Sequence, residues 1–203
     1  MSATNAQDLS PQSSILRAAL ETIAAENISG TRMRLIAERA GMSQGNLHYY
    51  FPTKTSLFLA LLEAMLDEFV AGRRGLIFEA DLGIREKLGR FLTQKQDLLL
   101  ERADVMQAYY DFWIHAVRDP DLGRQFRAMY ATWRKDIQQV VEVGVHEAVF
   151  QAEAANHLPA LLVAVMEGLG MQYLIDPHGF DLQGHMQAAQ AMILGFVVQD
   201  GDV

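Results

Sequence analysis

Cysteine is missing altogether from these 203 residues, which removes disulfides, thiolate zinc sites and cysteine nucleophiles at once. Long apolar runs are missing too. The longest, Leu158 to Met166, has nine residues and is closed by Glu167, far short of the roughly 20 that a membrane-spanning helix needs. The opening residues Met-Ser-Ala-Thr-Asn-Ala-Gln-Asp have neither a basic segment nor an apolar one, so no secretory signal is evident and the expectation is a soluble cytoplasmic protein with no membrane partner. Catalytic signatures are lacking: there is no Gly-rich phosphate loop and no G-x-S-x-G elbow, so neither an enzyme nor a cofactor is expected. The six histidines (His48, His115, His146, His157, His178, His185) include no i, i+4 pair, and no helical spacing sets two beside a carboxylate as a metal site requires.

Basic residues are also in deficit, with a net charge of −8. That counts at first against nucleic acid, whose phosphates want cationic surface. Divided by region, the deficit is uneven. Residues 1–74 hold seven basic and seven acidic side chains, whereas residues 75–203 hold ten and eighteen. Within Ile28–Ser56, Arg32, Arg34, Arg39 and Lys54 face only Glu38, a net +3. A basic island on an acidic chain suits a confined polyanion contact; an ordinary solvated helix face has the same charge.

What is present, with half the residues apolar, is helical periodicity almost throughout. Ile15, Ala19, Leu20, Ile23 and Ala24 mark a first helix with Ser13 or Ser14 as N-cap, broken at Asn27–Gly30. A short helix runs from about Arg32 to Ala40 and stops at Gly41. Ser43 caps another short one that reaches about Tyr50. After Pro52, Thr53 caps a long helix through Leu57, Leu61, Leu62, Met65 and Phe69, which loses definition near Gly72–Gly75. Five or six longer helices follow: near 84–101, from Met106 to Val117, from Phe126 to Val141, from Leu158 to Ile175, and a last one capped by Asp181. No segment reads as a strand, so the fold class is all-α. The domain plan is a flexible N-terminus (1–12), a helix-turn-helix domain (13–56), a connecting helix (57–74) and a C-terminal domain (75–203).

The sharpest feature is the pair of short helices around Gly41-Met42-Ser43, a helix-turn-helix arrangement. Ile36 and Ala37 pack the first helix, Gly41 supplies its end, and Leu47 anchors the second inward. Gln44, Gly45, Asn46, His48, Tyr49 and Tyr50 then have faces available outside. Amides, a bare glycine backbone and aromatic hydroxyls suit base edges and phosphates in a major groove. For Tyr49 and Tyr50, packing onto the following helix is the other reading; for Gln44 and Asn46, burial would strand their amides.

The stretch Gly30-Thr31-Arg32-Met33-Arg34-Leu35-Ile36-Ala37-Glu38-Arg39-Ala40-Gly41-Met42-Ser43-Gln44-Gly45-Asn46-Leu47-His48-Tyr49-Tyr50-Phe51-Pro52-Thr53-Lys54 closely resembles the N-terminal signature of tetracycline-repressor-like (TetR family) regulators. The likeness covers about residues 13–70. It implies a homodimer that binds a pseudo-palindromic operator on double-stranded DNA and is released by a small apolar or amphipathic effector, most often as a repressor. Carried over by position, Thr31 and Arg32 would meet phosphates, as would Lys54. Ser43, Gln44, Gly45, Asn46, His48, Tyr49 and Tyr50 would meet bases and backbone. Two residues depart from the family's habit: His48 stands where Tyr is common, and Leu35 where a polar residue is common. A histidine there would make operator affinity respond to pH.

Between residues 106 and 133 aromatic and methionine side chains concentrate. The resemblance puts an effector pocket in the C-terminal bundle, with Met106, Tyr109, Tyr110, Trp113, Phe126, Tyr130, Trp133 and Met166 as candidates; the same spacing also makes an ordinary helical core. Val165-Met166-Glu167-Gly168-Leu169-Gly170-Met171-Gln172-Tyr173-Leu174 is similar to the corresponding helix of the betaine-regulator branch. Leu158, Leu162, Val165, Leu169, Met186, Ala189, Ile193 and Phe196 are the expected dimer surface, two helices from each subunit forming a four-helix interface. The same helices suit the buried centre of a monomer. The rival to a DNA-binding regulator is an all-α small-molecule-binding protein or enzyme with structural N-terminal helices.

Overall fold

In the computed structural model, which describes residues 10–79 and 81–198, the three- and four-residue spacing resolves into nine α-helices and, among the described residues, no strand. They are α1 (Pro11–Gly30), α2 (Met33–Arg39), α3 (Gln44–Tyr50), α4 (Lys54–Arg74), α5 (Ile84–Glu101), α6 (Ala103–Ala116), α7 (Pro120–His146), α8 (Ala154–Ile175) and α9 (Leu182–Val197). A π-helical turn, Gly75–Glu79, follows α4 where the sequence pattern fades. Phe150 and Val198 form an isolated antiparallel bridge.

Caps explain most helix starts. Thr53 and Ser56 cap reciprocally, each hydroxyl accepting the other's backbone N–H at 3.0 and 3.2 Å. Asp181 accepts from the Gly184 N–H. α1 begins earlier than Ser13, because the Ser10 hydroxyl accepts the Ser13 N–H and Pro11, its φ preset for a helix, takes the first turn. The expected flexible segment 1–12 therefore loses its last residues to α1, and residues 1–9 lie outside the described ones. The expected break at Asn27 is a kink, with Asn27 at φ 55°. α7 also starts early, at Pro120, where the Asp119 carboxylate accepts two backbone N–H groups.

The chain divides into two compact units that do not follow chain order. The first contains the described residues up to Met65 together with Asp104–Gln125. Its core includes Ile15, Ile23, Ile36, Leu47, Leu57, Leu62 and Phe112. α6 belongs here because Asp111 accepts the Ile28 N–H and Phe112 meets Phe58 edge to face at 5.7 Å. A plain N-terminal boundary at residue 56 or 74 does not anticipate that.

The second unit contains Leu66–Ala103 and the described residues from Phe126 onward. Here α5, α8 and α9 pack on one another around Phe91, Leu92, Leu162, Met166 and Met186. α8 has the length and composition to cross a membrane, with mean hydropathy 1.6. In this unit it buries Leu158, Leu162 and Met166, and its Glu167 pairs with Lys95 of α5.

Candidate nucleic-acid interface

The turn between α2 and α3 is closed by hydrogen bonds that α2 cannot satisfy internally. Met42 N–H donates to the Ala37 carbonyl at 3.0 Å and Gly41 N–H to Glu38 at 3.1 Å. That six-to-one and five-to-two pair is a Schellman motif, and it needs a left-handed residue between. Gly41 supplies it at φ 68°. Ser43 then caps α3 by accepting the Asn46 N–H at 3.1 Å. Leu47 is completely buried against a core that includes Ile36 and Ala37. One apolar anchor thus fixes which face of α3 looks outward.

That outward face holds what the sequence suggested. Gln44, Gly45, Asn46 and His48 are exposed, and Tyr49 is 80% exposed. Tyr50 is half-buried and meets Tyr49 edge to face at 5.2 Å. The His48 ring lies between its neighbours, Nδ1 at 3.2 Å from the Pro52 carbonyl and Nε2 at 3.3 Å from the Gln44 amide nitrogen. No acidic side chain stands in α3.

Two expected phosphate contacts are placed differently. Thr31 is buried, and its hydroxyl donates to the Asn27 carbonyl at 2.7 Å. That bond secures the kink. Lys54 is half-buried; its Nζ donates to the Ile28 carbonyl at 2.9 Å and lies 5.1 Å over the Phe58 ring. Partial burial lowers its pKa from the ordinary lysine value. Ile28 is held from both sides, its carbonyl by Lys54 and its N–H by Asp111. Sequence spacing cannot reveal that pairing, since Asp111 is 83 positions away. Arg34 pairs with Glu38, and Arg39 donates to the Thr22 hydroxyl. Among the described residues of Ile28–Ser56, Arg32 is the exposed cation without a side-chain partner.

The candidate effector residues fall in both units. Met106, Tyr109 and Tyr110 are buried in the first, where Trp113 is half-buried. Phe126, Trp133 and Met166 are buried in the second, with Tyr130 half-buried. A cavity of about 550 Å³ in the first unit is bordered by Lys54, Phe58, His115 and Arg118, and one of about 610 Å³ in the second by Phe78, Lys87, Gln139 and His146. None of the eight candidates lines either cavity. Around Trp133 the second unit instead gathers buried charge. Asp136, fully buried, accepts Arg73 on one oxygen and Arg74 on the other. Lys95 pairs with Glu167 at 3.4 Å, and burial lowers the Lys95 pKa against the opposing pull of that carboxylate.

The expected dimer stripe needs correction. Leu158, Leu162, Met186, Ala189 and Ile193 are buried within the single chain, so they serve its own core. Val165 and Leu169 are half-buried, and only Phe196 of the eight is exposed. The sequence pattern found apolar helices but could not tell an inner stripe from an outer one on helices apolar all round.

Comparison with known proteins agrees with this architecture. Residues 15–61 match the family described as bacterial regulatory proteins, tetR family, and residues 84–199 match the BetI-type transcriptional repressor C-terminal family. The regulator RutR of Escherichia coli K12 is 49% identical over 57 residues; that match spans 28% of this chain and only 27% of RutR. The regulator BetI of Paraburkholderia xenovorans is 24% identical over 185 residues, covering 88% of this chain and 89% of BetI. A transcriptional regulator from Saccharomonospora viridis, solved in complex with choline, shares the fold with a TM-score of 0.82 at 24% identity, over 93% of this chain and 97% of that one. With its helix-turn-helix at the N-terminus and more than half its length matched by the BetI-type region, the chain belongs to the tetR family of bacterial transcriptional regulators.

Proposed function

We propose that the protein is a ligand-responsive transcriptional repressor of the cytoplasm that reads double-stranded DNA with α3. The observation that carries this is the outward face of α3: Gln44, Gly45, Asn46, His48 and Tyr49 exposed together, without a carboxylate, on a helix whose register Leu47 and the Ser43 cap fix. Amide groups at this position suit bidentate contact with base edges, and Arg32 and the Ser43 hydroxyl suit phosphates. Thr31 and Lys54 act behind that surface, holding the Asn27–Thr31 turn in place. Tyr50 stands at its edge.

The working unit in this reading is a homodimer. Leu161 and Ile175 on α8 and Met192 and Phe196 on α9 are more than half exposed, an apolar outer face suited to a two-fold contact with a second copy. Paired recognition helices then meet half-sites one turn of DNA apart, about 34–36 Å. An effector bound in the second unit favours the dimer form that does not fit the operator, by no more than its differential affinity for the two forms.

Selection of bound DNA from a random library, followed by mobility shifts, tests the reading. The expected result is a pseudo-palindromic site whose binding weakens steeply with salt, by roughly 0.9 log units per log unit of salt for each phosphate neutralised. Enrichment of no sequence, together with salt-independent or absent binding, would leave the all-α binding-protein reading in its place.

A further inference from the structure

On the outward face of α3 the His48 ring sits between two partners of opposite kind. Its Nδ1 lies 3.2 Å from the Pro52 carbonyl, which can only accept, so Nδ1 carries a proton. Its Nε2 lies 3.3 Å from the Gln44 amide nitrogen, which can only donate. The two contacts together describe a neutral imidazole whose bare Nε2 accepts one Gln44 N–H. Gln44 and His48 stand one helical turn apart and are both exposed. What remains of the Gln44 amide is its carbonyl oxygen and its second N–H, an acceptor beside a donor. Adenine presents the complement in the major groove, the N6 amino group beside N7.

Among the described residues no charged side chain touches this ring. On α3 itself the other titratable groups are the phenols of Tyr49 and Tyr50. In α2, which packs on α3, Arg34 pairs with Glu38 and Arg39 donates to the Thr22 hydroxyl, while Arg32 caps its start without a side-chain partner. Lys54, which opens α4, donates to the Ile28 carbonyl. A proton gained at Nε2 is therefore met by Gln44, as an N–H set against an amide nitrogen, donor against donor. Turning the amide over restores the bond, with the carbonyl oxygen accepting from Nε2 and both amide N–H groups released. The turn is about a terminal torsion whose wells are broad and roughly two-fold. Two N–H groups suit guanine, whose N7 and O6 are both acceptors.

We infer that His48 is a positioning residue that sets base specificity through Gln44: the neutral ring holds the amide as an acceptor–donor edge for adenine, and the protonated ring turns it into a pair of donors for guanine. The inference rests on the reading of α3 as the base-contacting helix and deepens it. It differs from a plain charge effect, in which a cation on α3 strengthens binding to every phosphate backbone alike. Histidine is the side chain whose ordinary charge change falls between about pH 5 and 8, so pH is the lever that separates the two.

Fluorescence anisotropy of the full chain on the selected operator, at fixed salt and at about pH 8 and about pH 6, tests this. Repeating the selection with Gln44→Ala marks the base pair that Gln44 reads, as the one whose preference disappears. Adenine is expected there at the higher pH. The preference for adenine over guanine should shrink by at least about five-fold at the lower pH, the low end of what one bidentate contact discriminates. His48→Ala should make that ratio independent of pH. In the free protein, the Gln44 side-chain amide protons, assigned by their loss in Gln44→Ala, should titrate together with the His48 ring and stop titrating in His48→Ala. Another base at the higher pH, no preference lost in Gln44→Ala, a pH-dependent ratio that survives in His48→Ala, or an amide that does not follow the ring overturns the inference. So does an affinity that changes equally for both bases, which is the plain charge effect. Sequence-specific binding with a ratio unmoved by pH sinks the inference alone, whereas no DNA binding at either pH sinks the regulator reading.

Discussion

The two units place their polar chemistry on opposite sides of their surfaces. In the first, α3 turns amides, a bare glycine and two tyrosines outward while a single leucine anchors it. In the second, the polar groups are inside: Arg73, Lys95, Asp136 and Glu167 are all buried around Trp133. The difference teaches what each surface is for. Polar side chains held outward on a rigid helix meet a macromolecule at no cost of desolvation within the fold. Polar side chains drawn inward cost desolvation, and each must be matched by a partner. The two regions should therefore break in different ways.

The largest effect is expected inside the second unit. Asp136→Ala leaves the buried Arg73 and its neighbour Arg74 without their shared carboxylate. Removing one partner of a buried pair costs roughly 3–5 kcal/mol, so urea unfolding should show a loss in the lower part of that range, given that Arg74 is half exposed. A loss under about 1 kcal/mol, the worth of an exposed ion pair, would show that the cluster is solvated and erase the contrast between the units.

In the first unit the comparable damage comes from the anchor and not from the polar face. Leu47→Ala empties a fully buried site between α2 and α3, for which roughly 2–5 kcal/mol is typical. Thermal unfolding should show that loss, and operator binding should fall with it because the α3 register depends on this contact. A variant that unfolds like the parent protein would mean that α3 is held by something other than Leu47.

Asn46→Ala should do the reverse. The side chain is exposed and caps nothing, since the cap bond uses only its backbone N–H. Stability should stay within about 0.5 kcal/mol, as for most surface changes. Discrimination between the selected operator and a site altered at the contacted base pair should shrink by about 1–3 kcal/mol, read by competition mobility shifts. Equal losses on operator and random DNA would remove the base-reading role of Asn46.

This contrast also explains how much was legible in the sequence. Helices, caps and the outward face of α3 are written in local spacing: Gly41, Ser43 and Leu47, all within seven residues, do in the structure what their residue types and positions imply. The interior chemistry is not local. Asp136 meets Arg73 across 63 positions and Lys95 meets Glu167 across 72, so no window shows them together. Trp133 was legible as a candidate by its residue type, but the buried charge around it was not. The apolar stripes of α8 and α9 failed for another reason. On helices apolar around most of their circumference, period alone does not say that Leu162 faces in and Leu161 out.

The smallest expected effect concerns two cations that the family pattern treats alike. Arg32 is exposed without a side-chain partner, whereas Lys54 spends an N–H on the Ile28 carbonyl over the Phe58 ring. Arg32→Ala should therefore leave stability unchanged and reduce the salt slope of DNA binding by about one unit, equally for all sequences. Lys54→Ala should cost about 1 kcal/mol of stability, the net worth of a part-buried hydrogen bond, and change the salt slope less than Arg32→Ala does. The reverse order of slopes would move Lys54 out to the phosphates, and the Ile28 contact would then be broken on the operator.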